Sequence, residues 1–273
     1  MKRAFAWFAV AATLTSASGI ALAEPWPKRV ISSGSLVGDA QLMENNADAH
    51  TALMGFSMRF LSGDRRVRAL GFVPTSDRVS VSLSDKDGGE PFAFSATFAT
   101  LINKTGVYPV AKKSGCVASC DVTIFPNGPT NDFVLKGFRF KTKNDVESHV
   151  KRIAIQPGAS LDKVHVHFVG STSPVFDVEI AYVRISRDIS AGPATASGAR
   201  KNGEPSIAIT TPKAPAGTTA LLQGFDIQFE NGAHNLQELT IRRGVGRYEV
   251  RFNDQNTDDP YSVQIYYIPM LDG

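Results

Sequence analysis

Cysteine is nearly missing from this sequence: Cys116 and Cys120 are the only two in 273 residues. That excludes a disulfide-dense scaffold and a four-cysteine zinc module. Tryptophan is equally scarce, and Trp26 is the only one beyond residue 23. After that point no apolar run approaches the length that spans a bilayer, so the mature chain is expected not to insert into a membrane. No segment sustains a 3.6-residue apolar period, which argues against a helical protein. G-x-S-x-G, H-E-x-x-H, the P-loop and the Rossmann fingerprint are all missing, so the chain is read as a non-enzyme. Charge of one sign is lacking too. Removing residues 1–23 takes two of the 29 basic residues and none of the 26 acids, leaving a nearly neutral chain. Such a chain has no concentrated positive field for nucleic acid.

The amino terminus carries an address. Lys2 and Arg3 precede an apolar run from Ala4 to Leu14, and a Ser/Thr/Gly-diluted stretch ends in Ala21-Leu22-Ala23. This order predicts a secretory signal peptide over residues 1–23, cleaved after Ala23, and a secreted or periplasmic product. In such an oxidising compartment Cys116 and Cys120 are expected to pair with each other.

The most informative property is an internal repeat. Gly55-Phe56-Ser57-Met58-Arg59-Phe60 and Gly224-Phe225-Asp226-Ile227-Gln228-Phe229 open two stretches that superpose without gaps under a shift of 169 residues. Arg78/Arg247, Asp85/Asp254 and Pro91/Pro260 coincide under that shift, and a more divergent copy opens at Gly137-Phe138-Arg139-Phe140. Within each copy the apolar residues alternate, as in Phe225/Ile227/Phe229 and Tyr248/Val250/Phe252, which is the period of half-buried strands. The expected architecture is all-β: three tandem, divergent antiparallel β-sandwich modules after the signal peptide. The modules are placed at 24–102, 106–186 and 205–273, with a linker at 187–204. Packing of the three around a pseudo-threefold axis is a hypothesis at this stage.

The closing strand, Tyr261-Ser262-Val263-Gln264-Ile265-Tyr266-Tyr267-Ile268, resembles the closing strand of the H-type lectin domain, a six-stranded sandwich of similar length. The resemblance implies trimer-like assembly and recognition of sugars. It lacks the family's late tryptophan, for which Tyr267 is the nearest counterpart. Arg247, Tyr261, Tyr267 and His234 are the ligand-binding candidates, because arginine and aromatic faces suit sugar recognition. Arg78 and Arg247 also invite a structural reading, as ion-pair partners of Asp85 and Asp254.

Two further patterns bear on metals. The acidic loops at Asp85–Pro91 and Asp254–Pro260 offer Asp85, Asp87, Asp254, Asn256 and Asp258 as oxygen ligands for Ca²⁺, against the plainer reading of solvated turns. His165 and His167 lie two apart on a strand and share a face, which suits zinc if a third ligand exists. No organic cofactor is implied. The functional expectation is an exported, non-enzymatic binding protein for a glycan or cell-surface ligand. The alternative is a structural or assembly protein of the envelope or an extracellular appendage, whose repeats pack against protein partners.

Overall fold

The computed structural model describes residues 28–43, 51–74, 78–101, 110–124, 132–158, 162–201, 203–255 and 259–271. The expected signal peptide at 1–23, the expected boundary near 102–106, Asn256 and Asp258 lie outside the described residues. The described residues are all-β and antiparallel, with eighteen strands and two short 3-10 turns, Lys143–Asp145 and Arg187–Ile189. Among the described residues no helix is long and apolar enough to cross a membrane.

Each repeat contributes six strands. The first has β1 (Lys28–Val37), β2 (Asp39–Met43), β3 (Thr51–Phe60), β4 (Ala69–Pro74), β5 (Arg78–Ser84) and β6 (Pro91–Thr100). The second has β7 (Ala111–Val117), β8 (Ser119–Thr123), β9 (Asp132–Thr142), β10 (Val150–Pro157), β11 (Lys163–Gly170) and β12 (Val175–Ile185). The third has β13 (Ala194–Arg200), β14 (Ile207–Thr210), β15 (Ala220–Phe229), β16 (Glu238–Gly244), β17 (Arg247–Asn253) and β18 (Tyr261–Pro269). The stretch 187–204, expected as a linker, is therefore partly folded: it carries a 3-10 turn and β13. Its glycines and small residues hide a largely exposed strand that pairs along its edge with β18.

Within a repeat, two three-stranded layers face each other across an aromatic filling. Phe72 of β4 meets Phe94 of β6 at 5.1 Å, and Phe168 of β11 meets Phe176 of β12 at 5.7 Å. Phe252 of β17 stacks on Phe229 of β15 at 4.2 Å. The layers do not stop at the repeat boundary. The third strand of each repeat pairs with the fourth strand of a neighbour: β3 with β16, β9 with β4, and β15 with β10. Three six-stranded sheets result, ordered β1-β6-β3-β16-β17-β14, β7-β12-β9-β4-β5-β2 and β13-β18-β15-β10-β11-β8. We call them the first, second and third sheet.

The Gly-Phe pair that opens each copy explains this arrangement. Phe56, Phe138 and Phe225 form a triad on the pseudo-threefold axis, with ring centroids 5.2, 5.8 and 5.3 Å apart. The glycine before each phenylalanine lets the neighbouring strand approach. A Cβ at Gly55 would lie 2.4 Å from the Ile241 carbonyl oxygen, one at Gly137 2.5 Å from that of Phe72, and one at Gly224 2.1 Å from that of Ile155. Bulges fall just before these glycines, between Leu53 and Gly55 and between Leu222 and Gly224. A bulge reverses the side-chain alternation. Leu53 thus joins the main core beside Phe56, while Ala52 and Met54 join a second, smaller core.

At one end of the axis, three pairs of backbone bridges close a ring: Arg65 with Leu236, Val67 with Ser148, and Val150 with His234. Each pair makes two hydrogen bonds of 2.7–3.0 Å. Arg65, Ser148 and His234 are thereby equivalent. At the outer corners, the first two strands of a repeat pass from one sheet to another. In the second repeat Val117 pairs with Ser119 across this corner, and the Cys116–Cys120 disulfide clips it. In the third repeat the buried Arg200 pins the corner, donating to Asn253 Oδ1 at 2.6 Å and to the Glu204 carbonyl at 3.1 Å. Its guanidinium lies 4.6 Å from the centre of the Tyr261 ring.

Candidate functional site

Two polar places stand out on this scaffold. The first is the ring end of the axis, where the linker after the third strand meets the loop after the fifth. In the third repeat, His234 Nδ1 lies 3.4 Å from Asp254 Oδ2 and 3.0 Å from Asp259 Oδ2. Asn231 donates to the other Asp259 oxygen at 2.7 Å. Burial alone would raise the Asp259 carboxyl, but the hydrogen bonds with Asn231 and Asp254 and the nearby His234 and Arg200 hold it below its usual value. Among the described residues, these three form the one group of His, Cys, Asp or Glu close enough to share an ion, with all three ligand atoms within 4.8 Å.

The matching place in the first repeat is already filled by a side-chain cation. Arg65 Nη2 lies 3.1 Å from Glu90 Oε1, and its Nε lies 3.9 Å from Asp85 Oδ2. Asp85 also accepts from Gly88 N at 2.9 Å, as an aspartate capping its own turn does. Asp87 is exposed at the tip of that turn. Of the five calcium candidates, Asn256 and Asp258 lie outside the described residues, and Asp85 and Asp254 have other partners. Asp85 serves a guanidinium and a turn, and Asp254 faces an imidazole rather than the all-oxygen shell that Ca²⁺ prefers. In the second repeat Gly170 replaces the aspartate, because a Cβ there would lie 2.0 Å from Ser148 Oγ.

The second place is the outer face of the third sheet. Asp226 on β15 takes a bidentate contact from Arg152 on β10, at 2.8 and 2.7 Å, and a third bond from Gln156 at 2.8 Å. Tyr266 on β18 donates to Gln264 at 2.8 Å. His165 and His167 share this face, ring centroids 4.5 Å apart, and His165 Nδ1 bonds Asp121 at 2.7 Å. Burial, Arg152 and His165 push His167 down to about 4, so it is neutral near pH 7. Beside Tyr266 opens a cleft of about 350 Å³ between Pro157, Pro193, Thr195, Lys213 and Gln223. Gln223 is 1 % exposed, and its Nε2 has no hydrogen-bond partner.

The predicted ligand residues separate. Tyr261 and Tyr267 are both 0 % exposed and belong to the core, so neither offers a ring face to a ligand. The closing strand alternates as expected, but its tyrosines at 261 and 267 are the inward ones. Tyr266, between them in the pattern, is the outward tyrosine. Arg247 is exposed at the start of β17, the end opposite Asp254, so the two do not pair. Arg78 instead donates to Gln41 at 3.0 Å. His234 alone of the four joins a polar cluster. Asp259, Gln223 and the Arg152–Asp226 pair were missed. Asp259 had a signal, since it aligns with Glu90 just before the matched proline. No known family's sequence pattern matches this chain, and no characterised protein matches it either.

Proposed function

We propose that this chain is an exported, non-enzymatic binding protein whose ligand site is the cleft on the third sheet, and that its ligand is a hydroxyl-rich molecule such as a glycan. One observation carries the reading: Gln223 lines this cleft, and its buried amide nitrogen has no hydrogen-bond partner. An orphaned buried polar group costs about 1–3 kcal/mol, and a ligand hydroxyl would satisfy it. The surroundings fit the same ligand class. Tyr266 and the two prolines give apolar faces for a sugar ring, and Thr195 and Lys213 add polar contacts at the rim. The adjacent Arg152–Asp226–Gln156 network fixes the orientation of Tyr266 through Gln156. Export rests on the charged and apolar pattern of residues 1–23. The sugar-binding reading agrees with the resemblance of the closing strand to H-type lectins.

A glycan-array screen with the purified chain tests this, followed by Tyr266→Ala and Gln223→Met on any hit. Binding that survives both changes places the ligand elsewhere. The structural or assembly reading draws on a different feature. β1 is the last strand of its sheet and carries Val30 at 65 % exposure, a surface on which a partner strand would pair. An array without hits, together with a stable complex recovered from native envelope, would favour that reading.

A further inference from the structure

We propose that the third repeat holds a zinc-type divalent metal ion between His234 Nδ1 and one carboxylate oxygen each of Asp254 and Asp259, and that Arg65 stands in for that ion in the first repeat. The proposal concerns the ring end of the axis and is independent of the cleft on the third sheet.

Geometry is the first argument. Tetrahedral zinc with ligand bonds of about 2.0–2.1 Å keeps its donor atoms about 3.3 Å apart. The imidazole nitrogen lies 3.0 and 3.4 Å from the two carboxylate oxygens, which brackets that spacing. An imidazole nitrogen beside two carboxylate oxygens suits zinc better than calcium or magnesium, which take oxygen ligands. Three protein ligands leave a fourth position for water, and His234 and Asp259 are 20 % and 19 % exposed at the side chain, so an ion can reach them.

The second argument is how firmly the ligands are held before any ion arrives. The backbone of His234 is bridged to Val150 by two hydrogen bonds of 2.9 and 2.7 Å. The His234 ring packs against Phe229 at 4.7 Å. Asp259 is steadied by Asn231 and precedes Pro260, whose fixed φ restricts the chain. The ligands thus come from two loops, the one after β15 and the one after β17, and His234 and Asp259 are each held by contacts beyond the three ligands.

The third argument is the internal comparison. Arg65 occupies the place of His234, and Asp85 and Glu90 occupy those of Asp254 and Asp259. There the guanidinium sits against both acids, supplying a fixed positive charge within the same frame. The second repeat, with Ser148 and Gly170, has lost both the cation and the acid. One scaffold position thus appears in three forms: arginine-filled, neutral, and open to an ion.

His234 Nε2 is buried without a partner. Metal-ligating histidines ordinarily donate from their second nitrogen to an outer acceptor, and losing that contact costs about 10–100-fold in affinity. The expected site is therefore reversible and stripped by chelators.

The test is calorimetric titration of the chelator-treated, untagged mature chain with Zn²⁺ alone, with Co²⁺ absorption as a second readout. The expected result is one equivalent bound, a tetrahedral Co²⁺ spectrum and a raised melting temperature. His234→Arg, which copies the first repeat, should abolish all three while leaving a folded protein. Asp254→Asn should weaken binding at least tenfold, and Asp85→Asn should leave it unchanged. No binding by the unaltered chain overturns the proposal. So does binding that survives His234→Arg but disappears in His165→Gln, which would put the ion on β11.

Discussion

Along the axis the three repeats place the same residues, Gly-Phe at 55–56, 137–138 and 224–225, whereas one position further on they place Ser57, Arg139 and Asp226. The inward residue must fit two copies of itself and a neighbour's backbone, so all three sites are bound to one solution. The outward residue answers only to its own sheet face. Ser57 bonds Thr240 at 2.6 Å in the first sheet, Arg139 pairs with Glu179 in the second, and Asp226 clamps Arg152 in the third. These equivalent positions have become a buried hydroxyl pair, an ion pair and a guanidinium clamp. The frame resists change on the axis side of these strands and accepts it on their outer side.

This contrast can be broken most severely at its centre. Phe138→Ala should cost about 3–5 kcal/mol, because the triad loses one of its three rings and the cavity cannot collapse from one side. Gly224→Ala should cost about 3 kcal/mol or more by forcing β15 off β10, whereas Gly34→Ala, with open space around the position, should be nearly neutral. Urea unfolding of the three variants checks both. A smaller effect belongs to the corner of the second repeat. Replacing Cys116 and Cys120 by serine together should lower stability by about 2 kcal/mol more under oxidising conditions than under reducing ones.

Gln223→Met sharpens the comparison in the opposite direction. The first repeat has Met54 at this place, so the change makes the third repeat more like it. It should raise stability by about 1 kcal/mol, because a buried amide nitrogen without a partner is removed, and abolish ligand binding in the cleft. Thermal melts and the array read the two effects separately. A pH dependence, reduced by solvent screening of the half-buried His167 ring, comes last. His167 titrates near 4 in the fold against 6.5 for a free side chain. Below 6.5 the unfolded chain gains a proton that the folded chain refuses, so stability falls between about pH 6.5 and pH 4. His167→Gln should flatten that part of the stability profile, measured by melting temperature at pH 7 and pH 4.5.

Strand positions were legible because burial on one face imposes period two, and Phe225/Ile227/Phe229 or Val164/Val166/Phe168 record it directly. The repeat was legible for the same reason, since each copy faces the same packing constraint. Pairing between repeats was not. Nothing local distinguishes β16 beside β3 from β16 beside β15, and the Gly55 approach to Ile241 appears only once the neighbour is in place. Site residues fared unevenly. Asp254 and His234 could be singled out by type and alignment. Tyr261 and Tyr267 were misjudged because an aromatic strand in isolation does not say which of its two faces is inward. Gln223 left no trace, since a bulge residue falls outside the alternation that reveals its neighbours.

The pairing of β3 with β16 joins the first repeat to the last, so the contacts between repeats form a closed circuit. In a linear array, order spreads from each unit to the next, and an end unit can fray alone. Here no unit is an end. A chain still emerging has β3 complete but no β16, so β3 presents a bare hydrogen-bonding edge until nearly the whole polypeptide is available. Folding must therefore wait for its most distant partners, which makes it slow for its size. Once the circuit shuts, unfolding should be a single cooperative event, because opening any one junction breaks a sheet that two repeats share.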